Sequence, residues 1–146
     1  MEPIKIIECP RDAMQGIKTF IPTARKVSYI QALLRVGFDS IDFGSFVSPK
    51  AIPQMQDTAA VLDQSDLSKT DSKLLAIIAN VQGAKDAASH EPIQYLGFPF
   101  SISENFQMRN THKTIAESLV TLQEILEIAD QNQKEVIAYL SMGFGN

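Results

Sequence analysis

Short runs of apolar residues alternate with longer stretches in which apolar positions recur every three or four residues. The runs lie at Ile4–Glu8, Ser40–Phe43, Lys73–Ile78, Ile93–Phe98 and Glu135–Ser141, and each has the length and β-branched content of a strand. Several are apolar on both sides, as in Lys73-Leu-Leu-Ala-Ile-Ile-Ala79. That pattern belongs to a parallel sheet covered on both faces, because a half-wet antiparallel strand alternates apolar with polar.

Helices are predicted between the strands. Thr23 is placed to cap a helix with Val27, Ile30, Leu33 and Leu34 on one face, stopped by Gly37. A second helix is predicted over Pro53–Asp63, with Met55, Ala59 and Leu62 inward, and a third over Val81–Ala88. The clearest runs from Thr114 to about Asn132. Thr114 and Glu117 have capping-box spacing, and Ile115, Leu119, Leu122, Leu126 and Ala129 form its apolar stripe.

The order is βα four times and then a fifth strand, an α/β pattern with right-handed crossovers. An open doubly wound sheet and part of a (β/α)₈ barrel both accommodate it. No Gly-x-Gly-x-x-Gly turn follows the first strand, which weighs against a dinucleotide fold. Polar residues gather where strands end: Arg11-Asp12, Asp42, Ser45, Ser101-Ile-Ser-Glu104 and Ser141. Barrel enzymes place their chemistry at those ends, so the N-terminal half of a TIM barrel is the expected fold. A complete barrel of this kind takes about 250 residues. Residues 1–146 therefore read as a partial catalytic domain: a fragment, or a half completed by a partner.

Composition narrows the chemistry. The chain has 45% hydrophobic and 21% charged residues with a net charge of −4, which excludes the clustered basic face of a nucleic-acid binder. No apolar run approaches the roughly 18 residues of a membrane span, and no basic-then-apolar leader is evident, so a cytoplasmic location is expected. Cys9 is the single cysteine, so neither an internal disulfide nor a thiolate metal cluster can form. Arg11 offers a permanent cation with a rigid donor fork beside the hard oxygen donor Asp12. Side by side, they suit an anionic oxygen with or without a divalent metal, although a plain ion pair at a barrel mouth has the same composition.

Four segments carry a family resemblance. Ile6-Ile-Glu-Cys-Pro-Arg-Asp-Ala-Met-Gln15 resembles the first-strand signature of the 3-hydroxy-3-methylglutaryl-CoA lyases, where Pro-Arg-Asp-Gly-x-Gln is usual. Ser45-Phe-Val-Ser-Pro-Lys50 followed by Ile52-Pro-Gln-Met55 is similar to the loop after their second strand. Ser103-Glu-Asn-Phe106, Asn110 and Thr114-Ile115 are similar to their fourth-strand loop, and Tyr139-Leu-Ser141 resembles their fifth strand. The resemblance spans nearly the whole chain but only the first half of the family's barrel.

It implies a metal-assisted carbon–carbon lyase that cleaves hydroxymethylglutaryl-CoA to acetoacetate and acetyl-CoA. It also implies a magnesium or manganese cofactor, an acyl-CoA substrate and a homo-oligomeric full-length enzyme. By the same resemblance Asp12 is a metal ligand, Arg11 stabilises the enolate, and Gln15 and Ser45 line the substrate pocket. Asp42 stands where the family has glutamate, one methylene short, which questions its reach to Arg11. The family's metal-binding histidines and asparagine and its reactive cysteine belong to the second half, and Cys9 matches none of them. In the complete enzyme, Arg11→Ala or Asp12→Ala is expected to cut turnover by orders of magnitude and leave the fold intact. Other acyl-CoA or 2-oxo acid lyases and synthases of the superfamily, and a non-catalytic half-barrel, are the alternatives. Arg109, His112 and Lys113 form a small basic cluster for CoA phosphates or merely a solvated loop, and His90 reads as a surface residue.

Overall fold

The computed structural model describes residues 4–145. Five strands, β1 (Ile7–Glu8), β2 (Ser40–Ser45), β3 (Lys73–Ile77), β4 (Ile93–Ser101) and β5 (Glu135–Ser141), form one sheet in sequential order. Every neighbouring pair is parallel. A doubly wound sheet reverses its strand order at a switch point. This sheet does not, so it is half of a barrel.

Alternate residues of β3 show what the two faces do. Leu74, Ala76 and the following Ile78 join the larger core with Ile30, Phe43 and Ile125, where helices cover the outer face. Leu75 and Ile77 pack with Tyr95, Ile137 and Tyr139 on the inner face. The period of two thus sends one set to the helix layer and the other to the barrel interior. Gly97 makes the interior fit. A Cβ there would lie 2.6 Å from Ile77 Cδ1 and 3.1 Å from Tyr139 Cε2.

Six helices pack outside or at the strand ends: α1 (Pro10–Gln15), α2 (Thr23–Leu34), α3 (Thr58–Asp63), α4 (Val81–Ala88), α5 (Glu104–Thr111) and α6 (Ile115–Gln131). The predicted bounds of α4 and β5 agree with the structure. Asn80 caps α4 by accepting from the Gly83 amide at 2.8 Å. Thr114 and Glu117 form the expected capping box on α6.

Several expectations change. The first strand is two residues long, with Ile4 and Ile6 exposed before it. Pro22, not Thr23, stands at the N-cap of α2, and the Thr23 hydroxyl donates to Asp57 at 2.7 Å. The predicted helix over Pro53–Asp63 divides into a 3₁₀ turn at Pro53–Met55 and α3. On α6 the buried face is Ser118, Thr121, Ile125 and Ala129, whereas Leu119 and Leu126 are exposed. Two further helices, α1 and α5, stand where strand-end loops were expected.

Candidate active site

The register of β2 against β3 shifts between Asp42 and Gly44, the kind of bulge that re-aims side chains beside functional sites. Asp42 is fully buried there. Across from it, Pro10 opens α1 at a position where its missing amide costs nothing. Arg11 and Asp12 therefore lie in the first turn of a short helix and not at the end of the strand itself.

Arg11 forms the centre of the site. Its Nε donates to both Asp42 oxygens at 3.1 Å, and its Nη2 donates to Oδ2 at 2.6 Å. The shortened side chain at position 42 reaches Arg11 without difficulty. Nη1 turns the other way and donates to Gln15 Oε1 at 2.9 Å and Asp12 Oδ1 at 3.3 Å. Gln15 Nε2 closes the ring by donating to Asp12 Oδ1 at 2.8 Å. The fork is thus fixed from two sides, a preorganised cation.

The two carboxylates have opposite environments. The Asp42 side chain is 1% exposed and that of Asp12 is 65% exposed. Burial raises the Asp42 carboxyl above the ordinary carboxylate value, offset in part by its hydrogen bonds from Arg11. Burial also pushes the Tyr139 hydroxyl up to about 12, with the Asp42 charge adding to the rise. Tyr139 therefore stays protonated near neutral pH and keeps a donor in the site.

Arg11, Asp12 and Gln15 line one wall of a cleft of about 720 Å³ at the C-terminal ends of the strands. Asn80, Tyr139 and Ser141 line it from the strand ends, and Phe106, Asn110 and Lys113 from α5 and the turn after it. Of the predicted basic cluster, only Lys113 lines this cleft, and its ammonium donates to Thr121 at 2.6 Å. Arg109 lies in the last turn of α5, and His112 terminates that helix in the left-handed conformation at φ 56°.

Ser45 does not line the cleft. Its buried hydroxyl donates to the Ile77 carbonyl at 3.3 Å and accepts from the Val47 amide at 3.2 Å, which closes the turn after β2. Tyr139 lines the cleft although the sequence pattern underplays it. Its inward face was readable from the alternation Ile137, Tyr139, Ser141, but its proximity to Arg11 depends on pairing across the sheet.

A magnesium or manganese ion requires about six oxygen-rich ligands. Among the described residues, no three His, Cys, Asp or Glu side chains gather to hold one. Asp12 has the right chemistry for a single hard ligand. Both of its side-chain hydrogen bonds fall on Oδ1, so Oδ2 is available to a cation. Asp12 could therefore give one oxygen of such a donor set, which the described residues do not complete.

Comparison with known proteins agrees with this geometry. No family model matches the chain. The mitochondrial hydroxymethylglutaryl-CoA lyase of Arabidopsis thaliana is 34% identical over 143 residues, covering 97% of this chain and 30% of that protein. A 3-hydroxy-3-isohexenylglutaryl-CoA/hydroxymethylglutaryl-CoA lyase of Pseudomonas aeruginosa is 33% identical, covering 97% of this chain and 47% of the relative. A solved HMG-CoA lyase from Acinetobacter baumannii, in complex with coenzyme A and 3-methylmalate, superposes with a TM-score of 0.88 at 32% identity. It covers 97% of this chain and 46% of the solved one. The chain matches the N-terminal half of the hydroxymethylglutaryl-CoA lyases. It spans less than half the length of these lyases, and its five strands are the first half of their barrel. No helix among the described residues is long and apolar enough to cross a membrane.

Proposed function

We propose that this half-barrel carries the oxyanion side of a hydroxymethylglutaryl-CoA lyase site and acts once a second half-barrel completes it. The observation that carries the reading is the Arg11 fork, held by Asp42 behind and by Gln15 and Asp12 at the cleft.

In the proposed reaction, a base takes the proton of the substrate's C3 hydroxyl, whose carbon becomes the ketone of acetoacetate. The C2–C3 bond breaks, and its electron pair passes to C2 as the enolate of acetyl-CoA, which then takes up a proton. Arg11 presents a fixed cation to the oxygen on which that charge develops. A preorganised donor of this kind is commonly worth about 3 kcal/mol of barrier. Asp42 keeps the guanidinium in one plane. Gln15 fixes the remaining Nη1 and aligns Asp12, which contributes one ligand to a magnesium or manganese ion. When bound, such an ion would supply Lewis-acid chemistry to the site. Tyr139, protonated at neutral pH, would supply a hydroxyl donor near Arg11.

The test is to co-express the chain with the C-terminal half of a related lyase and supply magnesium or manganese. Acetoacetate release from hydroxymethylglutaryl-CoA supports the reading. Consumption of acetyl-CoA with a 2-oxo acid, without acetoacetate release, would instead assign the site to a synthase. Assembly into a folded complex with neither activity would favour a non-catalytic half-barrel.

A further inference from the structure

A buried polar cluster packs against α1 outside the residues that line the cleft, and the proposed chemistry assigns it no task. Residues 16–22 connect α1 to α2 without helix or strand. Their backbone groups are held mainly by one side chain. Gln54 Nε2 donates to the Ile17 and Thr19 carbonyls at 2.8 and 3.0 Å, and its Oε1 accepts from the Ile21 amide at 2.8 Å. Gln54 is buried in the 3₁₀ turn that packs against α1.

Lys26 locks this arrangement from α2. It is 2% exposed. Its ammonium donates to the Gln54 carbonyl and to Asp57 Oδ1 at 2.6 Å, and it sits 4.2 Å from the centre of the Phe20 ring. Thr23 donates to the other Asp57 oxygen at 2.7 Å. One ammonium thus ties together the connector, α2 and the loop after β2.

Stability alone is a poor reason for this construction. Taking a lysine out of water costs several kcal/mol even when it is paired, and apolar replacements of buried ion pairs are often neutral or stabilising. What such a network does provide is a single geometry. α1 needs one imposed on it, because it has six residues and no side-chain cap, too short to hold its own orientation. Whatever fixes the connector at Ile17–Ile21 fixes the end of the helix that presents Arg11, Asp12 and Gln15.

We propose that Lys26, acting through Gln54 and Asp57, is the positioning residue that sets α1 and hence the Arg11–Asp12 pair in the cleft. The role in turnover rests on the lyase reading, but the positioning of α1 does not. The experiment is therefore built on a readout independent of activity: solvent exchange of the Arg11 Nε–H, followed by NMR in the full chain. In Lys26→Met, loss of the clamp should speed that exchange by about tenfold or more through local opening, with sheet amides such as Leu96 unchanged. Lys26→Arg, which keeps the charge and donors, should restore most of the protection.

In the assembled enzyme, the same Met variant should lower kcat by about tenfold while changing KM by less than about threefold. Gln54→Met provides a second route should Lys26→Met fail to fold. Unchanged Arg11 exchange in either folded variant overturns the proposal. So does equal loss of protection at Arg11 and at the sheet, or unfolding of both variants, since each marks a purely structural role. Faster Arg11 exchange in an assembled complex that releases no acetoacetate would uphold the positioning and reject the lyase reading.

Discussion

Arg11 divides its guanidinium among three acceptors, and the division has unequal consequences for its neighbours. Asp42 is fully buried and depends on the fork, whereas Asp12 is largely solvated and does not. Arg11→Ala therefore cannot leave the fold untouched, contrary to what the sequence alone led us to expect. It strands a buried carboxylate and should lower unfolding stability by about 3 kcal/mol at neutral pH, measured by urea denaturation. A carboxyl whose folded value lies above its unfolded 3.8 binds its proton preferentially in the folded state. Its contribution is present at acid pH and lost as pH rises through the raised value. The destabilisation of Arg11→Ala should accordingly shrink on acidification toward pH 4 and grow toward pH 7. Asp12→Ala should change stability by less than about 0.5 kcal/mol at either pH.

The legibility of these residues followed their distance in sequence. Arg11, Asp12 and Gln15 were readable because they share one short segment and carry a recognisable motif. Asp42 was readable as a strand-end acid, but its contact with Arg11 crosses 31 positions. Ser45 read as a pocket residue only through the family resemblance of its block; taken alone it read as a turn residue, and its hydroxyl bonds backbone groups of its own turn and of β3. Lys26 gave no signal at all. A lysine on the apolar side of a helix reads as a flaw in the stripe until Asp57 and Gln54 are brought to it by the fold.

Among the elements, α4 and α6 illustrate what local chemistry determines. Asn80 and the Thr114–Glu117 box set their starting points, and both starts were readable. The Thr114 amide and hydroxyl hold the Glu117 carboxyl below its ordinary 4.5. A carboxyl lowered in the folded state contributes stability above its unfolded value and loses it as pH falls through the lowered one. Thr114→Ala should cost about 1 kcal/mol at neutral pH, and the difference from the parent should narrow as pH falls below 4.5, followed by thermal denaturation. Gly83 tests a different constraint. A Cβ there would lie 2.7 Å from the Phe46 carbonyl oxygen, so Gly83→Ala forces α4 away from the loop after β2. It should destabilise by about 1–3 kcal/mol in the same assay.

The misread elements fail for physical reasons. α5 carries Phe106 and Met108 on a largely exposed surface, so it lacks the apolar stripe that marks a helix; the Ser103 cap was its local sign. On α6, the predicted stripe includes Leu119 and Leu126 because the apolar residues span more than one face. Part of that surface packs on α4 and the sheet, and part faces outward beside β5.

At the scale of the whole molecule, that outward part is continuous in meaning with the sheet edge. Among the described residues β5 pairs on one side, with β4, and Leu140 on β5 and Leu119, Val120 and Leu126 on α6 are exposed. The solved lyase on which the chain superposes is longer, with 46% of it covered. The account predicts that the isolated chain binds an apolar dye and self-associates at this edge. Leu119→Glu with Leu126→Glu should reduce both effects and weaken capture of the complementary half-barrel, as size-exclusion chromatography would show. Unaltered self-association would place the sticky surface elsewhere.

The central claim is that the exposed carboxylate beside the Arg11 fork serves chemistry and not stability. The most direct measurement is acetoacetate release by the assembled half-barrels with Asp12→Ala in place of the parent chain, alongside urea denaturation of the same samples. The account predicts a fall in kcat of at least about a hundredfold at unchanged stability. Turnover within about twofold of the parent would contradict it.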